Sequence, residues 1–206
     1  LQLDQFPMLK REEAEMIADG EVTLKGMGAS GGTLAGVLQF SESTLHIPET
    51  MPCQPKTVAV THLYANEATL PIERRSDFDF PINLNLQLQF PSGMIVEGRN
   101  LYTRWQGELQ VGGKVSAMEV KGVLSIVSGT YDFDGKTFAS TAGTIHFAGD
   151  PWEKTTLYVV GDYEIERKKI QAILKGPLSD PLVSLRSNPP LSQREILSWL
   201  LFGRGI

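Results

Sequence analysis

The sequence predicts an all-β chain that ends in one short helix, and three stretches carry that prediction. Between Pro81 and Pro91, Ile82, Leu84, Leu86, Leu88 and Phe90 alternate with Asn83, Asn85, Gln87 and Gln89, the period of a strand with one buried face. Leu101, Trp105, Leu109 and Val111 then share one parity, while Tyr102, Arg104, Gln106, Glu108 and Gln110 take the other. From Gly122 to Gly149 the apolar residues again come in alternate pairs: Leu124 with Ile126, Tyr131 with Phe133, Ile145 with Phe147. Inside that stretch Asp134-Gly135 separates Tyr131-Asp132-Phe133 from Lys136-Thr137-Phe138, the spacing of a hairpin closed by a type I′ turn.

From the start of the chain, Pro7 to Asp19 is charged and rich in helix formers. Pro7 suits a first turn and Gly20 a stop, so a short connecting helix or an ordered linker is expected there. Strand texture begins at Gly20 (GEVTLKG) and continues, past a Gly/Ser loop, through GTLAGVLQF and STLHIP. Thr57 to Tyr64 reads as another strand, between a proline-containing loop at Met51 to Lys56 and a polar connection at Glu73 to Asp77. Thr155 to Glu166, with Leu157 and Val159 on one parity, Lys169 to Lys175 and Pro181 to Arg186 complete about a dozen strands.

Residues 1–206 are expected to form a single elongated β unit with an internal repeat. Gly20-Glu21-Val22-Thr23-Leu24-Lys25-Gly26 recurs as Gly107-Glu108-Leu109-Gln110-Val111-Gly112-Gly113, and Gly36-Val37-Leu38 as Gly122-Val123-Leu124. Leu45-His46-Ile47 lines up with Tyr131-Asp132-Phe133. A period near 86 residues is too long for short solenoid repeats. It suits a unit of several strands used twice, at about 20–100 and 107–190.

The net charge of −5 argues against a nucleic-acid footprint, which needs a basic patch, and against electrostatic docking on anionic lipid. Cys53 is the only cysteine, which excludes a disulfide framework and a cysteine-rich metal site. No apolar run approaches the roughly 20 residues of a membrane span. The chain opens on Leu1 without a signal-like segment and is expected to be a piece of something longer.

Catalytic motifs are matched only in letters. Gly26 to Gly31 fits G-x-G-x-x-G and Gly28 to Gly32 fits G-x-S-x-G, but both signatures need a following helix. Thr33 to Phe40 is strand-like, so a strand-to-strand loop is expected. His46, His62 and His146 lie in separate strand patterns. Asp132-Phe133-Asp134-Gly135 lacks the remaining ligands of a calcium loop, and a hairpin turn explains it better. No enzyme activity, metal or cofactor is expected.

The strongest local signal lies at the C-terminus. Ser192 and Glu195 form an S-x-x-E capping box, with Leu191 and Ile196 placed as a hydrophobic staple. A helix over 192–202 follows, rich in apolar residues (Ile196, Leu197, Trp199, Leu200, Leu201, Phe202) and stopped by Gly203. It is too short to cross a membrane, and it is expected to cap the β core through Ser192, Glu195, Ile196, Trp199 and Leu200.

Together these motifs resemble the C-terminal domain of the TamB family, the inner-membrane component of the translocation and assembly module. The carriers are Leu84-x-Leu86-x-Leu88, Val96-x-Gly98-x-x-Leu101, Gly107-x-Leu109-x-Val111 and Gly122-x-Leu124. They continue as Gly129-x-Tyr131-x-Phe133-x-Gly135-Lys136-x-Phe138, Gly143-x-Ile145-x-Phe147-x-Gly149 and Pro181-x-Val183-x-Leu185-x-Ser187. Pro190-x-Ser192-x-x-Glu195 and Leu200-Leu201-x-Gly203 close the series, and the match is good from about Ile82 to Arg204. The resemblance implies a curled sheet forming a trough with an apolar interior, the β-taco. It implies a periplasmic location, in a protein anchored in the inner membrane of a Gram-negative bacterium. The implied partners are an outer-membrane barrel of the TamA type and a cargo of phospholipid or unfolded outer-membrane protein, autotransporters included. It also implies further residues beyond the Leu-Leu-x-Gly motif, reaching the barrel partner.

Every strand offers one apolar face and no helical layer covers them, so the faces must meet one another, a second copy or a lipid. Closure makes a sandwich and partial closure a groove; the resemblance favours the groove. Its expected lining is Ile82, Leu84, Leu86, Leu88, Phe90, Leu101, Leu109, Val111, Leu124, Ile126, Phe133, Ile145, Phe147, Leu157 and Val159. The alternative is a structural or carbohydrate-binding β-sandwich of a secreted protein. A sugar site would want exposed aromatics beside acidic residues, whereas Trp105 shares the apolar parity of its strand and Trp199 belongs to the helix.

Overall fold

The computed structural model describes residues 1–11, 14–28, 31–48, 82–149 and 154–203. Thr57 to Tyr64, its two flanking segments, His62 and Trp152 lie outside them. The described residues form ten strands and a helix: β1 (Gln2–Arg11), β2 (Ala14–Gly28), β3 (Gly31–His46), β4 (Ile82–Gly98), β5 (Leu101–Lys114), β6 (Ala117–Phe133), β7 (Lys136–Ala148), β8 (Thr156–Ile165), β9 (Lys168–Pro177), β10 (Leu182–Asn188) and α1 (Gln193–Phe202).

All ten strands belong to one sheet, in chain order. Neighbours are antiparallel except β3 and β4, which run parallel from Gly32↔Ile82 to His46↔Glu97. A parallel pair needs a long return connection rather than a hairpin, and residues 47–81 supply the length. The sheet is curled and forms no barrel, and β1 and β10 are its two edges among the described residues. Each strand packs chiefly against its ladder neighbours, and α1 against β10. A sandwich would need a second sheet, and the described strands form only one.

One expectation is overturned. Of the stretch from Pro7 to Asp19, the described residues are neither helix nor linker: Pro7 to Arg11 end β1 and Ala14 to Asp19 begin β2. Helix propensity amounts to tenths of a kcal/mol per residue. Here it is overridden by a strand paired on both sides, to β1 and to β3. Ala14 and Ala18 are buried while Glu15 and Asp19 are not, a period of two that the charges disguise. Pro7 lies in β1, and an edge strand tolerates a residue with no N–H to donate.

The hairpin reading of Asp134-Gly135 matches the structure. Both residues have positive φ, 52° and 72°, and Asp132 Oδ1 accepts a hydrogen bond from the Gly135 N–H at 2.9 Å. Arg99-Asn100 and Glu166-Arg167 turn in the same left-handed region without a glycine to announce them.

The β2–β3 and β5–β6 hairpins share one pattern of pairing. Gly20↔Leu38 and Val22↔Gly36 in β2–β3 correspond to Gly107↔Leu124 and Leu109↔Gly122 in β5–β6. Even the bulge recurs. The register slips between Ile17 and Ala18 in one hairpin and between Arg104 and Trp105 in the other.

Candidate functional site

The register determines which side chains share a face. Leu86 pairs with Val111 and Val111 with Val120, while Leu88 pairs with Leu109, which pairs with Gly122, and Gly122 with Phe147. Trp105 faces Ile126, Leu124 faces Ile145, and Ile145 faces Leu157. All fifteen residues of the expected lining fall on this one face.

They are not equally covered. Phe90, Leu109, Leu124 and Phe147 are buried, in one cluster with Ala18, Leu38, Phe40 and Trp105. Ile82, Leu84, Leu86, Leu88, Leu101, Val111, Ile126, Ile145, Leu157 and Val159 are half-buried, and Phe133, beside the hairpin turn, is 40% exposed. The buried cluster fills the middle of the face, and the residues around it stay partly exposed. The structure adds Leu38, Phe40 and Trp105 to the expected lining. Their signals were present: Leu38 is the repeat counterpart of Leu124, and Trp105 has the parity of Leu109. Phe40 stacks on Phe90 with ring centroids 4.9 Å apart. The buried Trp105 Nε1–H donates to Thr103 Oγ1 at 2.9 Å, which makes this tryptophan a core residue and not a sugar platform.

The opposite face is polar. Gln39 Nε2 donates to Gln89 Oε1 (3.0 Å), Gln89 Nε2 to Glu108 Oε1 (3.3 Å) and Gln87 Nε2 to Glu108 Oε2 (3.1 Å). This amide ladder crosses the parallel β3–β4 seam. Further along, Asp162 accepts from Gln171 Nε2 (2.8 Å) and pairs with Lys169 Nζ (2.7 Å). Burial alone would raise the Asp162 carboxyl, but these donors outweigh it and hold its pKa below the ordinary value.

Helix α1 lies on the apolar face at one end. Phe138, opposite Tyr131 and hence on the Leu101 side, joins Ile170, Ile196 and Leu200 in a second buried cluster edged by Tyr163, Ile165, Ala172, Leu185, Leu191 and Trp199. Lys168 Nζ sits 4.0 Å from the centroid of the Trp199 ring, a cation–π contact between β9 and the helix. The capping box is formed: the Glu195 N–H donates to Ser192 Oγ (3.3 Å) and the Ser192 N–H to Glu195 Oε2 (2.8 Å). The backbone bond from Ser192, then its side-chain bond, lower the Glu195 pKa. Gly203 ends the helix at φ 66°, its N–H bonded to Trp199 O. Ser192→Ala is expected to destabilise the chain by about 0.5–2 kcal/mol, read from urea unfolding followed by Trp fluorescence. An unchanged midpoint would show that the cap does not hold the helix.

An open sheet with one apolar face, polar on its back and closed at one end by a helix, defines a β-groove protein. Among the described residues no helix is long and apolar enough to cross a membrane. Residues 1–206, the whole chain, match the TamB C-terminal domain, and the chain belongs to that family. It is therefore part of a component of the translocation and assembly module, with a role in envelope biogenesis beside a TamA-type partner, and it belongs to a periplasmic portion of an envelope protein.

Proposed function

We propose that the apolar face is a conduit that shelters the acyl chains of phospholipid between the two membranes, in a protein anchored in the inner membrane. The observation that carries this reading is the half-buried set Leu84, Leu86, Leu88, Val111, Ile126 and Ile145, over which the described residues place no second layer. Apolar patches above a few hundred Å² are rare on monomers unless something binds them. Each methylene that such a flank withdraws from water contributes about 0.8 kcal/mol, so an acyl chain is a fitting occupant. Helix α1 closes one end and leaves the rest of the face for cargo. A second reading, an apolar strand of an unfolded outer-membrane protein, draws support from the two edges that the sheet has among the described residues, since strands add readily to sheet edges.

The test is native mass spectrometry of the chain purified without detergent. Phospholipid adducts are expected, and they should be exchangeable for a fluorescent phospholipid. A chain free of lipid that takes up none from vesicles would overturn the acyl-chain reading and leave the strand reading.

A further inference from the structure

The rim of the sheet carries a charge pattern that the apolar face does not explain. Arg167-Lys168-Lys169 is the only run of three cations in a chain of net charge −5. It begins in the turn between β8 and β9, on a rim shared with the turns at Arg99-Asn100 and Asp134-Gly135. Like charges in a row repel and cost stability unless counter-charges offset them. The protein's own carboxylates do so only in part. Lys169 Nζ is held by Asp162 at 2.7 Å, but Lys168 Nζ reaches Glu166 Oε2 only at 4.0 Å. Arg167 is exposed and has no ion-pair partner among the described residues.

The same turn borders an open cavity of about 330 Å³, whose lining includes Glu164, Glu166, Arg167, Lys168 and Asn188. It sits where water meets the apolar face. Ile165 pairs with Lys168 across the β8–β9 ladder, so both side chains start from that face. Ile165 packs at the edge of the helix cluster, and Lys168 Nζ stands 4.0 Å from the Trp199 ring centroid. Lys168 thus lays its aliphatic stem on apolar surface and keeps its ammonium at the rim. A phospholipid divides in the same way, into acyl chains that leave water and a phosphate that stays in it. Given the acyl-chain reading of the apolar face, on which this assignment rests, we propose that the cavity seats the headgroup of a zwitterionic phospholipid. Its phosphate lies between Arg167 and Lys168, and its ammonium at Glu164 and Glu166. The planar fork of arginine suits two phosphate oxygens, and lysine serves as a point charge. The two glutamates in the same cavity favour a headgroup of both signs over a purely anionic one.

The test titrates the whole chain, purified without detergent, with fluorescent phosphatidylethanolamine, phosphatidylglycerol and diacylglycerol of identical acyl chains. The parent should bind phosphatidylethanolamine roughly tenfold or more tightly than diacylglycerol, the contribution of one or two charge-assisted hydrogen bonds. Arg167→Gln combined with Lys168→Gln should bring phosphatidylethanolamine down to the level of diacylglycerol, whose own binding should not change. Arg167→Gln alone, at an exposed turn position, should give part of that loss without touching the Trp199 contact. Glu164→Gln combined with Glu166→Gln should weaken phosphatidylethanolamine and not phosphatidylglycerol, which has no ammonium. Cation variants that bind phosphatidylethanolamine as the parent does would overturn the seat, and so would a parent that prefers phosphatidylglycerol. It would also be overturned if glycerophosphoethanolamine, the headgroup without chains, competed as well as the whole lipid, because the site would then take a soluble phosphate ester. A parent that binds none of the three lipids contradicts the acyl-chain reading itself. One that binds all three equally contradicts only the headgroup seat.

Discussion

Gly107→Val is expected to destabilise the chain by about 3–5 kcal/mol, although valine is among the best strand formers. Gly107 lies in the middle of β5 at φ 153°, and a Cβ there would overlap the carbonyl oxygen of Val123 on β6 and crowd Leu124 Cα at 3.1 Å. The obstacle is backbone, which cannot rotate aside as a side chain can. The backbones of β5 and β6 would have to separate where they hold Leu124, which is 1% exposed at the centre of the apolar cluster. Gln110→Val, three residues along on the exposed face, is the control. It should stay within about 0.5 kcal/mol of the parent in urea unfolding. Gly20 is built the same way against Val37 on β3, so Gly20→Val should behave like Gly107→Val. A Gly107→Val chain as stable as its control would mean that these strands do not approach as closely as their register requires.

Much of the sheet was legible because burial on one face writes a period of two into the chain. Ile82 to Phe90 and Leu101 to Val111 fall where the pattern puts them, as β4 and β5. The turn at Asp134-Gly135 and the cap at Ser192 were legible because each rests on local backbone chemistry. The first two strands were not. In edge strand β1 only Leu3 and Leu9 are half-buried and the rest are exposed, so burial leaves almost no period there. In β2, small alanines stand where larger apolar residues would have signalled a strand. Nor could alternation disclose pairing order, and the parallel seam between β3 and β4 is a property of the connection rather than of either strand.

The site was legible as a face but not as a depth profile. Leu84 and Phe90 share a parity, yet Leu84 is half-buried and Phe90 buried. The difference follows from neighbours: the β3–β4 register sets Phe90 beside Phe40, on which it stacks in the buried cluster, whereas Leu84 lies nearer the end of its strand. Phe138 and Ile170, which hold the helix, were missed because charged or turn residues flank them: Asp134-Gly135-Lys136 before one, Lys168-Lys169 before the other. Likewise Gly107 announced a repeat, but its close approach to Val123 appears only once the strands are paired.

Leu86→Arg tests the groove most directly. Leu86 is half-buried on the apolar face, between Gly36 of β3 and Val111 of β5. If the flank is an open groove, the arginine keeps its stem on the apolar surface and lifts its guanidinium to water. The loss of stability should then be about 1 kcal/mol, the partial burial of one leucine. The charge would nevertheless stand in the path of an acyl chain, so phospholipid binding should fall at least roughly tenfold, which is about 1.4 kcal/mol. In a sealed core the same substitution would bury an unpaired charge, at a cost of several kcal/mol, and unfold the chain. The decisive measurement is therefore thermal unfolding and fluorescent-phospholipid titration on one preparation of Leu86→Arg. The account predicts a folded chain that has lost its lipid; a folded chain that binds lipid as the parent does, or a chain that no longer folds, would contradict it.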